Sequence, residues 1–255
     1  MTTAVNAPSS EFYESFWADS AYQLRYAQWS ASHDRYPAIC KVWGQLPLPR
    51  TVIDYGSGNG VLTDWLSAHG FGHEIVGLDV SETGVAAACE TFSRPGLRFE
   101  VLDPAKGAAH LGPVETIVSS HVLEHVPDPA SVLCSLRDQA RWFVFEVPLE
   151  DCPAQSVLSA LRRHPRTDNS LGHVHFWNEG SFLRLLESCG YLVVRSHRYA
   201  SAPFCPFISP AGRLLRRALL LPGLGFYGAV MATHFAVLAR VNPLHPRAVA
   251  RASVS

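Results

Sequence analysis

Apolar and polar positions follow two rhythms along the chain. Between residues 11 and 46 aromatic side chains recur at helical spacing, with Phe12, Tyr13, Phe16 and Trp17 followed by Tyr22, Tyr26 and Trp29. That pattern predicts amphipathic helices forming a lid or packing layer. Pro47-Leu48-Pro49 ends the helical region. From Thr51 short β-branched runs alternate with helical stretches: strand 51–54, helix 61–69, strand 74–79, helix 82–92, strand 97–101, strand 114–119, helix 128–139 and strand 142–147. Alternation of this kind predicts an α/β fold, a parallel sheet with helices on both faces. Ligands then sit at the carboxyl ends of the strands, where strand order reverses.

After residue 147 the rhythm changes. Residues 149–172 read as an insertion with a helical piece over 154–163. Asn178 is placed to cap a helix over 179–189, which Gly190 closes. Tyr191–Tyr199 reads as a sixth strand and Ala232–Val241 as a seventh, with a second insertion at 200–229 between them. The expected organisation is an N-terminal helical lid (1–46), one domain over 47–241 and a tail over 242–255. The apolar run Ala218–Ala239 is about long enough to span a bilayer. Pro222, Gly223, Gly225 and Gly228 interrupt it, so it reads as a buried turn and final strand. Contact of the basic-apolar segment 211–221 with a membrane surface is the competing, less favoured reading.

Composition narrows the function. Charged residues are 17% of the 255 and the net charge is −1, which gives no field for nucleic acid to follow. Six scattered cysteines include no C-x-x-C pair, so neither a zinc pattern nor a disulfide framework is indicated. The first ten residues lack a basic start and an apolar core. Together these point to a reduced, cytoplasmic protein.

The candidate chemistry begins at Asp54-Tyr55-Gly56-Ser57-Gly58-Asn59-Gly60. A strand, a glycine turn and a helix start present backbone N–H groups to a ligand. Glycine permits the sharp turn and the close approach. Gly77-Leu78-Asp79 ends the second strand, placing a carboxylate where ribose hydroxyls are held, about 20 residues on. The Asp-x-Gly-x-Gly-x-Gly spacing resembles the first motif of class I S-adenosylmethionine (SAM)-dependent methyltransferases. The resemblance covers roughly residues 50–200. It implies a Rossmann-like, doubly wound seven-stranded sheet, mostly parallel with the last strand antiparallel. It also implies SAM as cofactor and S-adenosylhomocysteine (SAH) as product. Carried onto this sequence, the cofactor residues are Asp54, Gly56, Gly58, Gly60, Asp79, Val80, Leu102, Asp103, Ser120 and His121, with Val80 and Leu102 flanking the adenine and Asp103 accepting its amino group. Tyr55 and Ser57 depart from the common pattern at positions where the backbone does the binding.

Ser120-His121-Val122-Leu123-Glu124-His125-Val126-Pro127-Asp128-Pro129 resembles the motif after strand four of small-molecule methyltransferases. Methyl transfer from a sulfonium is an in-line displacement, so the protein aligns donor and acceptor, excludes water and takes a proton. Histidine suits that last task. His121 is the first candidate base, and a helical turn would set it on one face with His125, which would orient the loop or a substrate. Glu124 would pin the loop through backbone N–H groups. Gly172-His173-Val174-His175-Phe176 resembles the family's acceptor-side segment, so His173 or His175 is an alternative base. Tyr13, Trp17, Tyr22 and Tyr26 are candidates for the pocket wall. Glu146 and Glu150 would bind an acceptor or pair with Arg162, Arg163 and Arg166. The His-x-x-Glu-His run lacks the regular helix a zinc site needs, because Pro127 and Pro129 truncate it; no metal site is expected.

The expected activity is therefore methyl transfer from SAM to a small-molecule or glycan acceptor, foremost O-methylation in a biosynthetic pathway. N-methylation of an amine and a non-catalytic SAM-binding partner protein are the alternatives. A nicotinamide oxidoreductase is disfavoured by the glycine spacing and the absence of a Tyr-x-x-x-Lys catalytic pair.

Overall fold

A computed structural model describes residues 10–19, 21, 23, 24, 26, 35–103, 107–149, 172–200, 214, 217–223, 227 and 230–245. Seven strands, β1 (Thr51–Tyr55), β2 (Glu74–Asp79), β3 (Leu97–Val101), β4 (Val114–Ser120), β5 (Ala140–Pro148), β6 (Tyr191–Tyr199) and β7 (His234–Val241), build one sheet in the order β3-β2-β1-β4-β5-β7-β6. β1 pairs in parallel with β2 and β4, β2 with β3, and β4 with β5. β7 runs antiparallel to both β5 and β6. Strand order reverses between β1 and β4, which fixes the ligand crevice above that junction.

Helices α1 (Ser10–Ala18), α2 (Arg35–Trp43), α3 (Val61–Ala68), α4 (Glu82–Thr91), α5 (Pro129–Leu136) and α6 (Glu179–Ser188) accompany the sheet. Their ends follow local chemistry. Ser81 caps α4 by accepting the Gly84 N–H at 3.0 Å, and Asn178 and Ser181 form a reciprocal capping box on α6. The helix expected over 128–139 runs only from Pro129 to Leu136. Asp128 stays outside as its cap, and Pro129 fills a first-turn position whose N–H has no helical partner.

The pleat sends alternate residues to two cores. Ile53, Val76, Ile117, Phe143, Phe145 and Phe235 pack on one face with Phe182 and Leu186 of α6 and with Tyr191. Val52, Ile75, Val118, Val144 and Leu238 pack on the other with Ile39, Val42 and Trp43 of α2 and Leu66 of α3. A central sheet buried on both faces accounts for the nearly unbroken apolar runs. The helical piece expected over 154–163, with Arg162, Arg163 and Arg166, lies outside the described residues, as do Glu150 and Tyr22. Among the described residues no helix is long and apolar enough to cross a membrane; the run 218–239 ends in β7.

Candidate active site

The carboxyl edge of β1 opens into a loop whose three glycines all take positive φ: 81° at Gly56, 54° at Gly58 and 80° at Gly60. Side chains would also collide there. A Cβ on Gly56 would meet Val122 Cγ2 at 2.2 Å, and one on Gly58 would meet Trp17 Cζ2 at 2.4 Å. Gly56 and Ser57 donate their N–H groups to the Leu78 carbonyl at 2.7 and 2.9 Å, tying the loop to β2.

Asp79 joins this loop to the next helix. Its Oδ2 accepts the Gly58 N–H at 2.7 Å and its Oδ1 the Ser81 N–H at 2.9 Å. Burial raises its pKa, against the opposing effect of those N–H bonds. Each oxygen retains capacity for a further donor. Val80 is half-buried and Leu102 buried, and the Leu102 N–H reaches the Asp79 carbonyl at 2.7 Å. Asp103 is half-buried at the end of β3. Asp54 sits deeper, at 1% exposure. Its Oδ2 accepts the Thr63 hydroxyl at 2.6 Å, and burial pushes its pKa up to about 6 against the effects of Thr63 and Arg35. A strand-end glycine loop beside a buried carboxylate is a donor set that fits an adenosyl cofactor, for which Asp79 would offer acceptors to sugar hydroxyls.

α1 closes over the cradle. Glu14 accepts the N–H groups of Glu82 and Thr83 at 2.7 and 3.0 Å, serving the first turn of α4. Trp17 is buried, with its indole over Gly58 and Gly84. Tyr13 meets His125 edge to face at a ring separation of 6.1 Å, while Tyr26 accepts a hydrogen bond from Arg35 at 3.2 Å.

The carboxyl ends of β4, β5 and β6 and the amino end of β7 bring together a charge network. Glu146, at 1% exposure, accepts from Ser120 Oγ, from the Tyr199 hydroxyl at 2.7 Å and from His121 Nε2 at 3.1 Å. Arg35 Nε lies 3.7 Å from its Oε2. His121 Nδ1 lies 3.0 Å from Oε1 of Glu124, which is 0% exposed. The His121 and His234 rings are 5.2 Å apart, and Thr233 Oγ1 is 3.0 Å from His234 Nδ1. Burial works to lower the His121 pKa, yet the Glu146 charge and the contacts with both carboxylates leave it raised. Burial works to raise Glu124, and His121, His125 and His173 override it, holding the carboxyl at about 2. Glu146 is likewise held well below the usual range, with His121 and Arg35 outweighing its burial. His234 is pushed down to about 3, first by burial and then by the charge on His121.

The helical turn expected to align His121 with His125 is absent, because His121 takes φ 57°. Its N–H pairs instead with the Glu146 carbonyl at 3.0 Å. Glu124 does pin the loop, but through its backbone carbonyl, which accepts the N–H groups of Val174 and His175 at 2.8 and 3.1 Å. This brings the 172–177 segment under the loop. His125 Nδ1 faces the Gly172 carbonyl at 3.3 Å, its Nε2 lies 3.8 Å from Glu124 Oε1, and the His173 ring stands edge-on at 4.8 Å. His175 reaches the Pro127 carbonyl at 3.2 Å and stacks on Trp177.

Two groups, His121–Glu146–His234 and Glu124–His125–His173, have atoms within 4.8 Å of one another. Arg35 and His121 already supply the positive charge those carboxylates face, so we read both groups as one charge network. Arg35, Tyr199, His234 and Glu14 carry no motif of their own; only the assembled sheet reveals them.

A family model described as a methyltransferase domain matches residues 22–196. The ubiquinone biosynthesis O-methyltransferase of Albidiferax ferrireducens is 30% identical over 129 residues, covering 48% of this chain and 48% of that protein. This chain thus spans about half the length of that curated relative. A SAM-dependent methyltransferase from Anabaena variabilis superposes with a TM-score of 0.63 at 16% identity, over 94% of this chain and 99% of that one. Magnesium protoporphyrin IX methyltransferase from Synechocystis, solved with bound SAH, gives 0.55 at 19% identity over 88% of each chain. At those identities the structural likeness is one of fold.

Proposed function

This chain belongs to the class I SAM-dependent methyltransferases, and from that premise we propose that it methylates a hydroxyl of a small-molecule or glycan acceptor in a biosynthetic pathway. When bound, SAM supplies a methyl group already activated by its sulfonium. The chain's part is to hold both reactants in line, exclude water and take the acceptor's proton. Asp79 and the backbone of Gly56, Gly58 and Gly60 would hold the cofactor, with Val80, Leu102 and Asp103 around its base and Ser120 and His121 beneath its methionine end.

The tautomer of His125 supports the hydroxyl reading. A carbonyl only accepts, so the nitrogen facing Gly172 is the one bearing hydrogen. Nε2 then keeps its lone pair beside Glu124, 3.8 Å away. A proton taken there would leave the ring 3.8 Å from the Glu124 carboxylate, a placement that suits a general base. A neutral amine would attack through its own lone pair, needing a base only to shed the proton of its ammonium form. The relatives named as O-methyltransferases support the same reading. His173, edge-on to His125, would orient that ring.

Calorimetric titration with SAH, followed by methyl transfer from labelled SAM to matched hydroxyl and amine acceptors, tests this. We expect one-to-one SAH binding, transfer to hydroxyls, and a fall of about 10²–10⁴-fold in kcat for His125→Asn with SAH affinity retained. Transfer to amines alone, or full activity in His125→Asn, would refute the assignment. SAH binding without turnover on any acceptor would favour the partner-protein reading.

A further inference from the structure

His121 is the only non-glycine residue with positive φ among the described residues. For an L-residue that backbone costs about 1–2 kcal/mol, so something must hold it. The holding group is Glu146. Its carbonyl accepts the His121 N–H at 3.0 Å, and its Oε1 lies 3.1 Å from His121 Nε2. The same carboxylate is fixed from three further directions: by Ser120 of β4, Tyr199 of β6 and Arg35 of α2. On the far side of the ring Nδ1 faces Glu124 at 3.0 Å. Nε2 is thus hydrogen-bonded to one fully buried carboxylate and Nδ1 stands within ion-pair reach of another.

We propose that Glu146 is a positioning residue that, with Glu124, clamps His121 as a doubly donating ring across the floor of the crevice, so that His121 anchors the loop and does not take the acceptor's proton. The proposal rests on the methyl-transfer reading for its meaning, and it explains why that reading turns to His125. A ring with a carboxylate at each nitrogen has no lone pair to offer. The groups facing His121 balance in the same sense. Glu124 and Glu146 favour the charged ring, and Arg35 opposes it; His234, 5.2 Å away on β7, is itself held neutral. The clamp also fixes the position of Glu124, whose other neighbour is His125 Nε2.

The test is a spectroscopic one on the full chain. The protein is labelled with ¹⁵N at histidine, the His121 ring is assigned by its loss in His121→Asn, and the ring nitrogens are followed from about pH 6 to about pH 8. We expect both nitrogens to carry hydrogen across that range. Glu146→Gln, which keeps the shape and removes the charge, is expected to lower the ring's proton affinity at least about tenfold. A wild-type ring with one bare nitrogen near neutral pH overturns the proposal, as does a titration unmoved in Glu146→Gln. The wild-type spectrum decides the point even where the variant does not fold. Neither cofactor nor acceptor enters the measurement, so failure of SAH to bind would count against the methyl-transfer reading alone.

Discussion

Replacing Asp79 by asparagine separates the two tasks that fall on this side chain. The carboxylate accepts the Gly58 N–H at 2.7 Å and the Ser81 N–H at 2.9 Å, at 8% exposure. Asparagine has one oxygen, so one of these donors must face an NH2 group and lose its partner. A buried donor left unpaired costs about 1–3 kcal/mol. For a chain of this size each kcal/mol moves Tm by about 2–4 °C, which places the expected drop between about 2 and about 12 °C. Relief from burying a charge, the cause of the raised pKa, biases the result toward the lower figure. Alanine abandons both donors and should cost about twice as much. If the carboxylate also accepts sugar hydroxyls, removing its charge loses a further ~1.5–3 kcal/mol on binding, or about 10–150-fold in SAH affinity. Thermal unfolding by circular dichroism reads the first effect and SAH calorimetry the second. An unchanged Tm in both variants would show that Asp79 does not hold the loop. SAH affinity within about twofold of wild type in Asp79→Asn would remove it from the cofactor site.

Gly58→Ala combines left-handed strain of about 1–2 kcal/mol with a methyl group 2.4 Å from the Trp17 indole. We expect α1 to be pushed off the cradle, read as a red shift of Trp17 emission against a Trp17→Phe control; unaltered emission would refute that placement. Acid should destabilise the fold through His234, whose pKa is lowered to about 3. A folded-state value below the unfolded one means that stability is full above about pH 6.5 and is lost as pH falls from there toward about 3. The loss amounts to a few kcal/mol at about 1.4 kcal/mol per pKa unit. His234→Gln should flatten the stability profile over that window, and an identical slope would show that another group governs it.

The glycine loop and the carboxylate beside it were legible in the sequence because they are local. Asp54 to Gly60 and Gly77 to Asp79 are contiguous stretches whose glycines and strand-end acid imply their own geometry. The sheet followed from alternation, since β1, β2, β4, β5 and β7 bury residues on both faces. The network around Glu146 depends on contacts between distant segments. Glu146 meets Arg35 of α2, Tyr199 of β6 and His121 after β4 only once β5 lies beside β4 and β7. No spacing rule anticipates that arrangement. The left-handed turn at His121 was hidden for a different reason: no glycine marks it, and the charged side chains that hold it are long-range. Glu124 was placed at the right hinge with the wrong group in use, because its carboxylate answers histidines while its carbonyl answers the 174–175 backbone.

The reversed direction of β7 bears on how proteins with this scaffold diverge. Tyr199 and His234 are paired residues at the connected end of a hairpin, at the edge of the sheet that carries the Glu146 network. Whatever length of chain joins them leaves and re-enters at the same two anchored points. Closing a longer connection costs only logarithmically more, about 0.6 kcal/mol per doubling. A change in the length of the 200–233 interval should therefore cost the sheet little, provided Tyr227, Met231 and Ala232 keep their buried places.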